Sequence, residues 1–417
     1  MPCQRLSANV TLVVVMAVVL TVPGCMRGPR ALRASRSRYN QAIQETADQQ
    51  LLLNLVRLRY RDVPFFLEVG SVSAQFEFDE SAGAGASIVE NVGVDPINPT
   101  TFDLSANLRQ VEKPTITFTP LQGEDFVERV LTPVSLDTIV LLARSGWSID
   151  RVLRLTAQRI NGVENARSAS GPTPDRAPSF REFAEVSRSL RALQARGWAE
   201  LAYESLPSTL AAPLPAAAVE AADIVAAAEA GYSFRPADQG ENLVLTGTTR
   251  SVVLSLASPA VRSSEMDEIV RALNLVPGRS RYEVRLAAGL PENDQGAAPR
   301  EELAIETRSL MGILFYLSQS VEAPPEHEEQ GLVTVTRTGD SGTFDWTNVT
   351  GDLLRIRCDR NESDAAAVAV RYRGHWFYID QADLDSKSTF ALLSQLLALR
   401  AGAAQGVAPL LTLPVGG

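Results

Sequence analysis

Apolar and polar positions follow two kinds of pattern along the chain, and each kind predicts a different element. Between Tyr39 and Arg61 apolar residues recur three and four places apart, which predicts an amphipathic helix that stops at Asp62-Val63-Pro64. From Gln75 to Ile88, and again from Thr101 to Arg109, apolar residues occupy every second position. That alternation predicts two strands joined as a β-hairpin.

Beyond the hairpin, helical and strand patterns are mixed. We predict helices within Gly123–Arg159, over an Ala-rich stretch from Pro213 to Glu229, over Arg300–Ser320 and from about Lys387 to Arg400. Strands are predicted in the C-terminal part, at 332–337, 353–358 and 367–379, the last turning at Gly374. The predicted fold class is α+β, with an N-terminal helix plus β-hairpin unit, a central helical segment and a C-terminal mixed α/β domain with antiparallel strands.

Changes in composition along the chain, including a stretch rich in proline, glycine and serine, predict seven segments. The stretch SASGPTPDRAP has the composition of a linker. The segments are a lipoprotein signal peptide (1–24), an Arg-rich tether (25–38), an N-terminal domain (39–167), a linker (168–179), a helical segment (180–235), a C-terminal α/β domain (236–400) and a tail (401–417).

The N-terminus resembles a bacterial lipoprotein signal. Arg5 is followed by an apolar run from Val10 to Val22, which is too short to span a membrane comfortably. The run ends in Val22-Pro23-Gly24-Cys25, which resembles a lipobox, with Pro23 at a place where a small or aliphatic residue is more usual. The resemblance implies a diacylglyceryl group on Cys25, cleavage after Gly24 and acylation of the new N-terminus, for instance with palmitate. The alternative is an ordinary signal peptide or an uncleaved anchor with an incidental cysteine.

The residues after Cys25 indicate in which membrane of the cell envelope the protein is expected. Met26 stands where an Asp would resemble an inner-membrane retention signal, so we expect the outer membrane, with the protein facing the periplasm. Five arginines between Arg27 and Arg38 predict a flexible tether that lies on anionic headgroups, although simple solvation explains them equally well.

Composition excludes several classes. The formal net charge of −10, without a basic stripe, makes the chain a poor nucleic-acid binder. Cys3 leaves with the predicted signal and Cys25 is lipidated, so Cys358 remains alone, without an intramolecular disulfide, and is predicted to be a buried core thiol. With His327 and His375 as the chain's two histidines, a zinc site of the His/Cys type lacks ligands. We predict neither a metal nor a cofactor.

The chemical motifs favour a non-enzyme. Gly339-Asp340-Ser341-Gly342 is similar to a serine-protease nucleophile motif, but it lacks a positioned base, so we interpret it as a turn. Asp359–Asp364 lacks the glycine and the final glutamate of a calcium loop and is interpreted as an acidic turn. No catalytic residue is predicted.

An aromatic strand near the C-terminus is the candidate partner face. Trp376 and Tyr378 lie beside Arg371 and Arg373 in the sequence RYRGHWFY, and aromatic and arginine side chains are frequent interface anchors. More often, however, such a strand simply builds a core.

Three blocks of the chain resemble a family of uncharacterised bacterial proteins, many of them envelope lipoproteins. They are LLLNLVRLRYRDVPFFLEVGSV, PTITFTPLQGEDFVERVLTP and RYRGHWFYIDQADLDSKSTFALLSQLLALRAG with the closing LTLPVG. The resemblance implies no known activity.

Three functional hypotheses follow. The first is a lipid-anchored, non-enzymatic envelope protein with a structural or assembly role and with protein partners or copies of itself. The second is an oligomeric outer-membrane pore whose 75–109 hairpins span the bilayer, although Glu80 and the GAGAG sequence favour a soluble hairpin. The third is an envelope hydrolase whose carboxylates the sequence does not place.

Overall fold

The computed structural model of the protein describes residues 27–88, 100–121, 123–237, 241–287, 298–339, 342–401 and 411–414. The helices described are α1 Arg27–Arg59, α2 Glu124–Leu131, α3 Leu136–Arg144, α4 Ile149–Thr156, α5 Arg181–Ala195, α6 Ala221–Glu229, α7 Ser264–Ala272, α8 Leu310–Ser318, α9 Pro325–Glu329, α10 Thr347–Thr350 and α11 Leu384–Ala401. Helices and sheets are mixed along the chain, which confirms the predicted α+β class.

The strands form three sheets. They are β1 Leu67–Ile88, β2 Thr100–Pro120, β3 Ala157–Ile160, β4 Val163–Glu164, β5 Ala199–Thr209, β6 Leu214–Pro215, β7 Ser233–Ala237, β8 Asn242–Leu256, β9 Arg281–Leu286, β10 Glu302–Thr307, β11 Arg357–Asp359, β12 Ala366–Tyr372, β13 His375–Asp380 and β14 Leu411–Pro414. The sheets have the orders β1-β2-β14, β4-β3-β10-β9-β8-β5 (with β6 and β7 also on β8) and β11-β13-β12. Of the described strand pairs, β9 and β10 are parallel and the others antiparallel.

The chain divides into two compact units. Unit 1 contains residues 1–50, 65–123 and 401–417, and unit 2 contains residues 51–64 and 124–400. Helix α1 therefore supplies its first part to one unit and its last part to the other.

Unit 1 is dominated by the hairpin. Strands β1 and β2 are 22 and 21 residues long, so each extends about 70 Å at the usual rise per residue. The stretch 113–120 is the end of β2. The segment Leu411–Pro414 of the predicted tail is a third strand, which pairs with β2 from Thr115 to Phe118.

Unit 2 has the buried core. The last part of α1 belongs to it, and Leu52, Leu55 and Val56 are fully buried there. They recur at helical spacing, as the sequence predicts for a face that packs on a core.

One arginine is fully buried in unit 2. The Arg308 guanidinium donates to a ring of oxygens and lies over the ring of Tyr316, 4.2 Å from its centroid. Its acceptors are the Ser170 hydroxyl and the carbonyls of Arg154, Leu155, Ala157 and Asn165. Burial lowers the pKa of Arg308 to about 10, so the side chain remains charged at neutral pH. The hydrogen bonds of the Arg308 side chain therefore connect the β3 region to the start of α8.

The predicted helix over Arg300–Ser320 is wrong in its first half. Residues Glu302–Thr307 form β10, parallel to β9, and the helix begins only after Ser309. The Ser309 hydroxyl accepts a hydrogen bond from the Gly312 amide and so caps α8. The alternating sequence ELAIET is compatible with a strand as well as with a helix. Pairing with β9 stabilises the strand.

The predicted linker and the helical segment after it also differ from the structure. Within 168–179, Ala169 is buried, and Arg176 forms a β-bridge with Arg337, so this stretch is attached to unit 2 at these points, although most of its residues are exposed. Within 180–235, residues Ala199–Thr209 form β5, which pairs along β8. The Ala-rich helix is limited to α6, because Leu214–Pro215 pairs with β8.

The N-terminal tether was expected to be flexible, and this expectation is wrong from Arg27 onward. Residues Arg27–Arg38 are the first turns of α1. Pro29 lies in the first turn, where proline is tolerated, and the alanines, leucine and arginines that follow are good helix formers.

The predicted strands at 332–337 and 353–358 are mostly absent from the described residues. The first is reduced to two bridges of Arg337, with Arg176 and Thr343. In the second, only Arg357 and Cys358 enter β11.

Candidate functional site

The predicted site residues lie partly outside the described residues. Cys25 and the rest of the signal-like segment are among these, as are Asp340 and Ser341 of the turn motif. Arg371, Arg373, Trp376 and Tyr378 are described, in the β11-β13-β12 sheet of unit 2.

Three of the four partner-face residues share one face of that sheet. Arg371 lies opposite Trp376 and Ala369 lies opposite Tyr378, and directly opposite residues of antiparallel strands point to the same side. Strand β11 adds Asp359 opposite Trp376 and Arg357 opposite Tyr378. Arg371 is exposed and the two aromatic residues are half-buried. Charged and aromatic side chains therefore alternate across an accessible face.

Arg373 does not belong to this face. It is in the turn between β12 and β13, where both Arg373 (φ 46°) and Gly374 (φ 87°) have left-handed backbones. Such a pair is typical of a two-residue hairpin turn. The Arg373 guanidinium donates to the Asp62 carboxylate at 2.9 Å and lies 5.3 Å from the ring centroid of Tyr60.

The other face of the turn meets the end of α1 in a cluster of titratable residues, which we call the Tyr–His cluster. The Tyr60 hydroxyl and His327 Nδ1 share a hydrogen bond of 2.7 Å, and both residues are buried. The rings of His327 and His375 meet edge to face, with centroids 5.0 Å apart. The cluster consists of Tyr60, Asp62, Glu326, His327, Tyr372, Arg373 and His375.

Ion pairs and one orphaned nitrogen complete the cluster. His375 Nε2 lies 3.3 Å from Glu326 Oε1, and Glu326 also accepts a hydrogen bond from Arg360 at 3.3 Å. The Tyr372 hydroxyl donates to the Asp62 carboxylate. His375 Nδ1 is buried and has no hydrogen-bond partner within the described parts of the chain.

The surroundings keep these groups in their uncharged or paired forms. Burial, and secondarily the neighbouring His375, lower the pKa of His327 below 6.5. Burial raises the pKa of Tyr60 to about 12. Burial alone would raise the pKa of Asp62, but hydrogen bonds from Tyr372 and Arg373 outweigh it and hold that pKa below its usual value. Apart from the unpartnered His375 Nδ1, the cluster therefore behaves as a set of satisfied contacts between the end of α1, α9 and the β12–β13 turn.

Cys358, the thiol near the Tyr–His cluster, is not an activated nucleophile. Cys358 was predicted to be buried, but it is half-buried, and burial together with Glu322 raises its pKa to about 12. A thiol with so high a pKa is almost entirely protonated at neutral pH and is a poor nucleophile. No three His, Cys, Asp or Glu side chains within the described ranges are grouped so that they could hold a metal ion.

A cavity of about 420 Å³ in unit 2 is lined by several carboxylates. Two of them are already held by the backbone. Asp345 accepts hydrogen bonds from the Thr347 amide and hydroxyl at the start of α10, and Glu322 accepts one from the Cys358 amide at 3.3 Å. Arg59 lines the same cavity and donates to Gln319 at 3.0 Å. The contacts of Asp345 and Glu322 give these two carboxylates structural roles.

The edges of the hairpin sheet are a second candidate site. No described strand pairs with the outer edge of β1, and β2 has β14 on its outer side only between Thr115 and Phe118. An edge strand presents a row of unpaired amide and carbonyl groups to any chain that can pair with it. At 22 residues this edge is several times longer than an average strand.

The Tyr–His cluster was missed by the sequence analysis, although the alternation that forms the hairpin was found. Tyr60 and His327 are 267 residues apart, and no local pattern links them. The scarcity of histidine is the one signal that could have drawn attention to the pair, since both histidines of the chain are in the cluster.

Comparisons with known proteins add no relative. No family model, no curated protein and no solved structure matches the chain. Within the described residues, no helix is both long enough and apolar enough to cross a membrane.

Proposed function

We propose that the protein is a lipid-anchored bacterial cell-envelope protein with a non-enzymatic, structural or assembly role. The observation that carries this proposal is the 22-residue outer edge of β1, which has no partner strand among the described residues. Proteins usually shorten, charge or cover such edges, because an open edge recruits other chains. An edge of this length is suited to pairing between chains.

The anchor is supported by the sequence from Val10 to Cys25. One acyl chain gives only marginal, reversible membrane binding, whereas several chains on one residue hold a protein on the bilayer. A protein held at a surface also meets its partners at a raised effective concentration, which favours pairing between edges. Anchoring and edge pairing therefore support the same role.

The anchor is tested by metabolic labelling with a palmitate analogue. We expect label in the full-length protein and in the Cys358→Ala variant, but none in Cys25→Ala. Cys358→Ala is the matched control, because it removes the one other cysteine expected in the mature chain. Label that persists in Cys25→Ala, or an unlabelled native protein in the soluble fraction, would contradict the proposal.

The assembly role is tested by co-purification from detergent-solubilised envelope. We expect the full-length protein to bring down copies of itself or other envelope proteins. Cys25→Ala should lose them, because it loses its place at the membrane. A native, lipidated protein that purifies alone would count against an assembly role.

A membrane pore is the second candidate, and the register of the hairpin favours it. Apolar positions of the two strands are directly paired, namely Ala82 with Ala106, Ala84 with Leu104 and Ala86 with Phe102. One apolar face and one polar face are expected of a strand that separates lipid from water. Glu80, paired with Leu108, interrupts the apolar series.

The pore is tested with proteoliposomes. We expect the full-length protein to release a trapped small dye, and a variant that lacks residues 81–99 to retain it. A full-length protein that binds the vesicles without releasing dye would exclude the pore and leave the anchored assembly protein.

A further inference from the structure

The hairpin has two outer edges, and they are not alike. The outer edge of β1 pairs with no described strand from Leu67 to Ile88, and the backbone of Leu67 itself is bonded by the Gln50 side-chain amide. The outer edge of β2 is covered by β14 at one end, Thr115–Phe118, and has no described partner from Thr100 to Pro114. One copy of the chain therefore offers one complete edge and one edge that is partly covered.

We infer that hairpins of separate copies pair head to tail, with β1 of one copy on the Thr100–Pro114 edge of β2 in the next. This inference rests on the proposed assembly role and names the partner as a second copy of this chain. The resulting strand order is β1-β2 of one copy followed by β1-β2 of the next, antiparallel throughout.

The match between the two strands identifies a second copy as the occupant. Within one hairpin the register already pairs β1 with β2 over the whole length, including Asp79 with Arg109 and Ala84 with Leu104. A β1 strand from another copy, antiparallel on the other side of β2, meets the same sequence of residues. The outer edge of β2 is therefore suited to pairing with a β1 strand of a second copy, because its inner edge already pairs with the β1 strand of its own copy.

Charge disfavours the pairing of like edges. Strand β1 contains Glu68, Glu77, Asp79 and Glu80 and no basic residue, whereas the part of β2 without β14 contains Arg109 and Lys113 beside Asp103 and Glu112. Two β1 strands side by side would bring acidic residues together, and like charges on neighbouring strands are destabilising. Pairing β1 with β2 places acidic and basic residues on adjacent strands.

Head-to-tail pairing uses both edges of every copy with a single type of contact. A β1–β1 contact is isologous and stops at two copies, with both β2 edges still open. A head-to-tail contact is heterologous, so it repeats and, when the rotation between copies closes, forms a ring in which every copy has a neighbour on both sides. Strand β14 limits the contact, because it already occupies β2 at Thr115–Phe118.

Disulfide cross-linking between two tagged copies tests the inference. Both carry Cys358→Ala; one adds Ser81→Cys in β1, and the other adds one cysteine in β2, in turn Thr101→Cys, Asp103→Cys, Ser105→Cys, Asn107→Cys and Arg109→Cys. These positions all share the parity of Ser81 in the hairpin register, and the series allows for a shift in register between copies. Each chain has a single added cysteine, so a disulfide within one hairpin is impossible.

We expect mixed-tag dimers that need both cysteines and that peak at one or two neighbouring β2 positions. Thr117→Cys is the matched control, because β14 covers that position and Thr117 is buried, so it should not cross-link. Removing residues 411–417 should make Thr117→Cys cross-link. Predominant Ser81→Cys homodimers, equal yields at all β2 positions, or no dimer at any position would each overturn the inference.

Palmitate labelling of the same samples separates this inference from the proposed function. A labelled, membrane-bound protein without mixed dimers would overturn head-to-tail pairing and leave the anchor intact. Mixed dimers from an unlabelled native protein would support the pairing and contradict the anchor.

Discussion

The two units of the chain satisfy their backbones in different ways. In unit 2 the larger sheet ends in β4, two residues long, and β5, and a core of fully buried side chains such as Leu52 and Leu55 supports it. In unit 1 the hairpin sheet ends in the 22-residue β1, and the buried side chains described there are Phe66, Thr117, Leu121 and Ala401. Buried side chains support the larger sheet of unit 2, whereas in unit 1 a far longer strand forms the edge of the sheet and has no partner strand among the described residues.

The largest expected effect is the loss of the buried guanidinium in unit 2. Arg308→Met removes the donors for four carbonyls and one hydroxyl, and each buried group left unsatisfied costs about 1–3 kcal/mol. We expect the free energy of unfolding to fall by at least about 3 kcal/mol in urea titrations. Arg61→Met, an exposed arginine that donates to Thr334, is the control and should cost less than about 1 kcal/mol. Equal losses in the two variants would contradict the structural role of Arg308.

Leucine truncations in the two units should have opposite readouts. Leu55→Ala should lower the free energy of unfolding by about 2–5 kcal/mol, because Leu55 is fully buried in unit 2. Leu104→Ala, in the hairpin, should leave the unfolding of unit 2 unchanged and reduce the yield of cross-linked oligomer. Urea unfolding followed by tryptophan fluorescence, together with the cross-linking yield, makes the comparison. A Leu104→Ala variant that unfolds as easily as Leu55→Ala would show that the units are not independent.

The Tyr–His cluster should make the stability of unit 2 depend on pH. The pKa of His327 is lower in the folded chain than its unfolded value of 6.5. As the pH falls below 6.5 the unfolded chain binds a proton first, so the free energy of unfolding decreases until the pKa of the folded state is reached. We expect His327→Gln to flatten this slope just below pH 6.5 in urea titrations. An unchanged slope would remove His327 as its source.

Asp62 should act in a more acidic range. Its pKa is held below 3.8 in the folded chain, so its contribution is complete above that pH and is lost as the pH falls through the folded value. Asp62→Asn should therefore destabilise unit 2 at neutral pH and reduce the acid sensitivity below pH 3.8. If the variant and the native chain lose stability in parallel there, Asp62 does not carry this effect.

The smallest effects on stability are expected at the candidate partner face. Arg371→Ala removes an exposed side chain, and surface substitutions of this kind change the free energy of unfolding by about 0.5 kcal/mol or less. Arg373→Ala should cost more, because Arg373 holds Asp62. If the face binds a partner, Arg371→Ala should reduce co-purification although the protein remains stable. Unchanged co-purification would leave this face without a role.

Local patterns predicted what local physics decides. The alternation around Phe76–Ile88 and Phe102–Leu108 predicts the hairpin, because a strand with two different faces needs a period of two. The turn at Gly374 follows from a residue that tolerates a left-handed backbone. The α+β class follows from the order of such elements.

The features that the sequence did not predict depend on contacts between residues far apart in the chain. The stretch ELAIET became a strand because β9 lies beside it, although its composition is compatible with a helix. The Tyr–His cluster joins residues that are more than 260 positions apart, and the Arg308 carbonyl ring is formed by chain segments that only tertiary packing brings together. No spacing rule contains this information.

The mass of the full-length protein purified in detergent tests the central claim most directly. Light scattering coupled to size exclusion should give an oligomer for the full-length protein and a monomer for the variant that lacks residues 81–99, with unit 2 folded in both. A full-length protein that is monomeric at every concentration, or a shortened variant that stays oligomeric, would contradict assembly through the hairpin.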